Sequence, residues 1–442
     1  MFFSSFLQRW IYDYDSKETF LKYLHLACIF FCIIGIYSIM MPIKDTVFLK
    51  TIGIEYLSLG KIFAVLVIIP LLFLYSHLTA YIPRHRLLCA VGLFYAFLTL
   101  ICFLILLHPT WGLANQTLSP YRLVGWVWYA CVESFGSIMV TTFWGFAADI
   151  SQPESAKRGF SLISLGAQTG GFIMPLIFRN KATEWGPLPF FSIVIVGMII
   201  TILLTLRFNK ITPPAELKGF EKKTSSKHLS PSFLEGLILV VQQPYLRGIC
   251  ALVACYEIVL LFFEIQLKAF ANVCYLDINS LNGFFFKYSL YSNGIALCTL
   301  LLGVQNIRKY TNITVMLLLT PALTLAMLIL TLISFDLNTF FYCIVITRGV
   351  NYSLNQPTKE QLYIPTDSRV KYKAKGWIDI FGARFGKSAG SSLHLLQPML
   401  HSIFSRVTTG IIAILLALWA CSAWYVGKRY DKAVKENNVI DS

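Results

Sequence analysis

The sequence predicts an all-α, polytopic membrane protein with twelve transmembrane helices in two six-helix halves, an arrangement of the major-facilitator kind. Three observations predict it. The 442 residues are 56% hydrophobic and only 13% charged, against about 25% charged in an ordinary soluble domain. Apolar runs long enough to span the bilayer, which takes about 20 residues, recur along the whole chain. With the N-terminus placed in the cytoplasm, 25 of the 37 Lys and Arg fall in cytoplasmic segments and 6 in loops on the other side. That is the bias cytoplasmic loops show, and a misplaced span would invert every later loop. This composition excludes a soluble enzyme and a disordered scaffold. The net charge of +15 is accounted for mostly by topology, so the expected surroundings are a lipid bilayer and not a nucleic acid.

The elements follow in order. Arg9, Lys17 and acidic residues precede the first long apolar run, which argues against a cleavable signal peptide. Six spans are expected at 24–43, 62–82, 87–107, 123–148, 160–178 and 186–206, giving an N-terminal half over 1–206. A cytoplasmic linker, 207–247, holds seven basic residues, Pro213, Pro214 and the Lys222–Lys227 cluster. Within it, residues 232–242 have the pattern of a short helix lying on the membrane surface. The C-terminal half, 248–442, carries spans at 248–268, 284–304, 311–333, 337–356, 376–399 and 404–426. The eleventh is the weakest, interrupted by Asp379, Arg384 and Lys387. A faint repeat relates the halves. Lys157 precedes Gly166, Ala167 and Gly170 at the same spacing with which Lys373 precedes Gly382, Ala383 and Gly386, 216 residues later. In the same way Lys44 closes span one and Lys268 closes span seven.

Ionisable residues inside spans are costly and usually face the bundle interior. The cations are Lys268, Lys287, Arg348, Arg384, Lys387 and Arg406, and the acids are Glu133, Glu257, Glu264 and Asp379. Lys44 adds a further cation at the mouth of span one. A surplus of positive charge suits an anionic substrate. Glu257 and Glu264 share a helix face, and Lys268 lies one turn beyond Glu264, within ion-pair reach. Gly382, Gly386 and Gly390 form a small-residue stripe that lets another helix approach closely, leaving Arg384 and Lys387 on a different face to line a pathway. Lys287 and Arg406, near span ends, fit snorkelling residues, and His394 a packed one.

Other chemistries find no support. The eleven Cys contain no CxxC pair and mostly lie in apolar runs, as small buried hydrophobes do, so neither a disulfide framework nor a metal site is expected. Gly382-Ala-Arg-Phe-Gly386-Lys387-Ser388 has one residue too few between its glycines for a P-loop and lacks the preceding strand. No motif of a hydrolase or metalloenzyme appears, and no cofactor is expected.

Several motifs then combine. The stretch from Asn355 to Ser391 carries Pro357-Thr-Lys-Glu360, Tyr363-Ile-Pro-Thr366, Lys371-Tyr-Lys-Ala-Lys375, Ile378-Asp379 and Gly386-Lys-Ser388. The first half adds Ile43-Lys-Asp-Thr46, Glu133-Ser-Phe-Gly-Ser137 and Phe143-Trp-Gly-Phe-Ala147, and the second adds Tyr256 through Lys268. On these residues the chain resembles the nucleotide transporter family, the ATP:ADP antiporters of obligate intracellular bacteria and plastids. The resemblance implies exchange of ATP for ADP across a bacterial inner membrane by alternating access, with both termini cytoplasmic and a nucleotide as partner. It assigns substrate-binding roles to Lys44, Glu133 and Glu264 and to a lysine near the start of span eleven, for which Lys373, Lys375 and Lys387 are candidates. The intramembrane charges add Lys268, Arg348 and Arg384. The cations would hold the phosphates in a mid-membrane cavity, and the glutamates would pair with them when the site is empty. A proton-coupled importer of another nucleotide or organic anion is the alternative.

Overall fold

The structure, a computed structural model, describes residues 17–151, 153–213, 233–301, 312–363, 365–366, 374–378, 382–395, 404–436 and 440, and these contain helices, turns and no strand. The first long helices are α1 (Lys17–Thr51), α2 (Leu57–Tyr81), α3 (Arg84–Leu107), α4 (Leu123–Asp149), α5 (Pro153–Trp185) and α6 (Leu188–Ile211). There follow α7 (Phe233–Gln242), α8 (Pro244–Cys274), α9 (Ile278–Leu301), α10 (Ile313–Ile333) and α11 (Leu337–Val350). After a π-helical turn at Asn351–Asn355 come α12 (Gln356–Gln361), α13 (Lys375–Trp377), α14 (Ala383–Leu395) and α15 (Phe404–Glu436).

Among the described residues nine helices are long and apolar enough to cross a membrane. The other three expected spans correspond to helices that are more polar or shorter: α9, with three asparagines and Lys287, then α11, then α14 with Arg384 and Lys387. The short helix expected within 232–242 is present as α7, while Lys222–Lys227 and Pro214 lie outside the described residues.

Several helices have other bounds than the expected spans, and two of the differences bear on charged residues. Helix α1 runs to Thr51, not to residue 43, and α8 to Cys274, not 268. A hydropathy window stops at the first charge, whereas the helix continues because Lys44, Asp45 and Lys268 are buried and have side-chain partners. Lys44 and Lys268 therefore lie inside their helices and not at the ends.

The chain forms two compact units. One gathers Met1–Ile54, Leu66–Ser225 and Tyr275–Asn293; the other gathers Glu55–Val65, Ser226–Cys274 and Gly294–Ser442. In the first unit α1 packs on α4, α5 and α6, and α3 packs on α4 and α6. In the second unit α8 packs on α11, α14 and α15, and α10 packs on α11 and α15. The scheme is the same, so the weak sequence repeat corresponds to a repeat of helix packing.

Glycine explains why the repeated letters are where they are. A Cβ at Gly166 would lie 2.6 Å from the carbonyl oxygen of Ala27, and one at Gly170 would strike the carbonyl oxygen of Phe31. In the second unit a Cβ at Gly382 would lie 3.5 Å from Cys250 Sγ, and one at Gly386 would lie 3.0 Å from the carbonyl oxygen of Ala254. At Gly390 it would be 3.3 Å from Ile258 Cα. Gly166 and Gly170, and likewise Gly386 and Gly390, thus meet backbone four residues apart on the partner helix, the close approach that small residues permit in membranes, while Gly382 is in ordinary contact with a side chain. Leucine at Gly170 or Gly386 is expected to lower stability by about 1–3 kcal/mol, as overpacking does. Thermal unfolding of the detergent-purified variants checks it, and unchanged unfolding would contradict these contacts.

The first unit's core is aromatic: Trp128, Tyr129, Phe135, Phe143, Phe190 and Phe191 are fully buried, with Phe30 stacked on Phe143 at 4.3 Å. Lys22, also buried, donates to the carbonyl oxygen of Ile150 at 2.5 Å, closing the C-terminal end of α4, where basic groups are favoured. Between α5 and α6, Gly186 adopts φ +69°, which a residue without Cβ tolerates at a helix end. All eleven Cys are free.

Candidate functional site

Two buried charge clusters stand out, one in each unit. In the first, Lys44 Nζ lies 2.5 Å from Glu133 Oε1 and 3.7 Å from Asp45 Oδ1. It also sits 4.7 Å above the centroid of the Tyr129 ring, a cation–π geometry, and 3.5 Å from Met41 Sδ. Tyr129 and Glu133 are one turn apart on α4, which packs on α1, so a single helix face supplies both the ring and the carboxylate. The Lys44 side chain is 1% exposed while that of Glu133 is 26% exposed. The carboxylate is therefore the part of this cluster that a solute or water can reach.

The second cluster is built around Glu264. Its Oε1 accepts from Lys268 Nζ at 2.7 Å and from Lys61 Nζ at 3.1 Å, and its Oε2 accepts from Arg348 Nη2 at 2.9 Å. Three cations from three helices, α8, α2 and α11, converge on one carboxylate. Lys268 is one turn beyond Glu264, as expected. Arg348 arrives at the end of α11, where the backbone passes into the π-helical turn and Asn355 Nδ2 donates to Asn351 Oδ1 at 2.8 Å. Such turns often occur at functional sites because they re-aim side chains. Burial of an ion costs several kcal/mol unless partners compensate, and here each charged group has at least one.

Lys61 escaped the sequence reading, which placed it in the loop before span two. The signal was present: Leu57, Ala64 and Ile68 are buried, and Lys61 occupies the same helix face at the i, i+4, i+7, i+11 spacing. A lysine on an apolar face one residue outside a hydropathy window belongs inside it.

The remaining candidates are less enclosed. Lys375 Nζ is 2.5 Å from Glu360 Oε2, with the side chains 33% and 46% exposed, and lies 5.7 Å from the Tyr363 ring centroid. Lys359 in turn lies 6.0 Å from the ring of Tyr256. Lys387, 49% exposed, is 3.9 Å from Glu257 Oε2, so Glu257 does not join Glu264 and Lys268 even though it shares their helix. Arg384 is half-buried on α14. Lys373 and Asp379, and the side chains of His394 and Arg406, lie outside the described residues. The P-loop look-alike at Gly382–Ser388 is largely helical, with Gly386 pressed on Ala254, so its backbone amides serve the helix and cannot cradle a phosphate. Among the described residues no His, Cys, Asp and Glu group is arranged to hold a metal ion.

Comparison with known proteins agrees with a helical membrane protein. The sequence model of the TLC ATP/ADP transporter family matches residues 6–430. The chain belongs to that family. The transporter is 26% identical over 485 residues to ADP,ATP carrier protein 1 of Chlamydia pneumoniae, covering 95% of this chain and 93% of the relative. To ADP,ATP carrier protein 1 of Rickettsia prowazekii it is 24% identical over 492 residues, covering 97% and 96%. In fold it resembles a point mutant of the nucleoside transporter NupG, with a TM-score of 0.62 at 12% identity over 92% of this chain and 98% of that one. The peptide transporter POT in complex with sulfate gives a TM-score of 0.60 at 13% identity, over 93% and 95%. The expected major-facilitator-like architecture of a multi-pass membrane transporter is therefore shown.

Proposed function

We propose that this transporter exchanges ATP for ADP across a bacterial inner membrane by alternating access, with both termini cytoplasmic and no covalent change to the nucleotide. The observation that carries the reading is the convergence of Lys61, Lys268 and Arg348 on Glu264. A nucleotide presents a compact chain of phosphates, each able to accept from several donors, and guanidinium and ammonium groups are the side chains that bind it. In the empty protein Glu264 occupies those donors. A phosphate that enters takes its place, so in the empty and the loaded protein alike the three cations face an anion, while the state between them leaves them without one. That penalty makes return of an empty transporter slow and favours obligatory exchange.

Lys44 and Glu133 form the corresponding pair in the first unit, with Glu133 the more accessible member. Lys375, Lys387 and Arg384, more exposed, fit weaker contacts that a nucleotide meets on its way to the buried cluster, and Lys373 belongs with them by sequence. The names of the chlamydial and rickettsial relatives support ADP and ATP as the substrates.

Uptake of radiolabelled ATP by intact bacterial cells expressing the chain tests this, with unlabelled ADP as competitor and an uncoupler. Uptake blocked by ADP and indifferent to the uncoupler is the expected result, and vesicles preloaded with ADP should take up label at least about tenfold faster than empty ones, as transition-state arithmetic gives for a penalty of ~1.4 kcal/mol. Uptake that collapses with the uncoupler would instead favour proton-coupled import, with Glu133 the accessible carboxylate. Equal rates in loaded and empty vesicles would overturn obligatory exchange.

A further inference from the structure

We propose that Lys61 is a phosphate-binding residue that sets the preference between nucleoside triphosphates and diphosphates, a proposal that rests on the exchange reading above. Of the three cations on Glu264, it is the one whose bond is longest, 3.1 Å against 2.7 Å for Lys268 and 2.9 Å for Arg348. Lys61 and Lys268 share a single oxygen, Oε1, whereas Arg348 has Oε2 to itself. A phosphate replacing the carboxylate therefore meets Lys268 and Arg348 first, on helices α8 and α11, which pack directly on each other.

Lys61 comes from elsewhere. Helix α2 is divided: residues Glu55–Val65 cluster with the helix of Glu264, and the residues from Leu66 onward cluster with the other unit. Pro70 lies inside α2, and a proline lacks the N–H that would bond the carbonyl four residues earlier. That carbonyl belongs to Leu66, the residue at which the division falls. The N-terminal segment of α2, with Lys61 on its buried face and its side chain 11% exposed, is thus joined to the rest of its helix at a weakened turn. This is the element best able to follow an added phosphate while α8 and α11 hold their positions. A diphosphate is matched by the two cations on packed helices, and a triphosphate, with one more phosphate group, calls on the third.

The test measures half-saturation for ATP and for ADP in reconstituted exchange with wild type, K61Q and K61R. It is paired with thermal stabilisation of the purified proteins by ATP, ADP, tripolyphosphate and pyrophosphate. K61Q is expected to raise the ATP value about tenfold, in keeping with loss of one charge-assisted contact, and the ADP value by no more than about a third of that. K61R is expected to restore the preference. Tripolyphosphate should stabilise wild type at a lower concentration than pyrophosphate, and K61Q should erase the difference. An equal shift for both nucleotides, or none, overturns the proposal. If K61Q does not reach the membrane, equal stabilisation of wild type by tripolyphosphate and pyrophosphate overturns it as well. A wild type stabilised by tripolyphosphate in preference to pyrophosphate but exchanging neither nucleotide would overturn the exchange reading while leaving the role of Lys61 standing.

Discussion

Glutamine in place of Glu264 is expected to lower the concentration of ATP needed for half-saturation while cutting the maximal exchange rate on the order of 100-fold, since Glu264 is the anion that substrate must displace. In wild type, Lys61, Lys268 and Arg348 are all bonded to its two oxygens, so each phosphate contact is gained at the expense of an internal one. Without the carboxylate the cations meet phosphate with no competitor, and the nucleotide binds more tightly. Release then lacks the group that takes the cations back, and a tightly bound intermediate slows turnover. The same substitution leaves three buried cations around a neutral amide, so the purified variant should be markedly less heat-stable when empty and be rescued by ATP to a greater degree than wild type. Kinetics of reconstituted E264Q, with thermal unfolding at several ATP concentrations, checks both. A rise in half-saturation would mean that Glu264 attracts the nucleotide, for example through its ribose hydroxyls, and that competition is not its role.

Replacing Lys44 with glutamine should be more damaging to the protein itself. Its ammonium meets Glu133 at 2.5 Å and Asp45 at 3.7 Å while 1% exposed, so removal takes away the cation that two acidic groups share. Breaking a buried pair from one side costs about 3–5 kcal/mol, enough to reduce the amount of folded protein in the membrane. The double variant K44Q/E133Q removes charge from both sides and should recover part of that stability, because Glu133 is then no longer an anion without its cation, while Asp45 still lacks Lys44. It should not recover transport if the pair takes part in the cycle. Quantifying folded protein and exchange for K44Q, E133Q and the double variant separates the two effects, and transport recovering in step with folding would leave the pair a purely structural element.

Much of the architecture could be read from the letters. The apolar runs and the one-sided distribution of basic residues depend on composition alone, because the bilayer selects segments by their average transfer energy and loops by their charge. The glycine spacing near residues 166 and 382 was legible for a similar reason: close helix approach needs a missing side chain wherever it occurs, and Gly386 on Ala254 is what the stripe anticipated. The Glu264–Lys268 pair was legible too, since its two members are one turn apart on one helix.

What escaped the sequence had its cause in distance along the chain. Lys61 and Glu264 are 203 residues apart, and nothing local to either announces the other. Lys44 and Glu133, 89 apart, stand out separately in the sequence, but that they hold each other was decided by the packing of α1 on α4. Glu257 is a partner of Glu264 by periodicity and instead faces Lys387 on α14. The sequence by itself determined that this chain is a helical membrane protein with intramembrane charge of mostly positive sign, because hydrophobicity, loop charge and helix period are local properties. Only the tertiary structure decided which charges on different helices meet, since such an ion pair in a low-dielectric interior is made by whichever helices pack together, and that is a property of the fold as a whole.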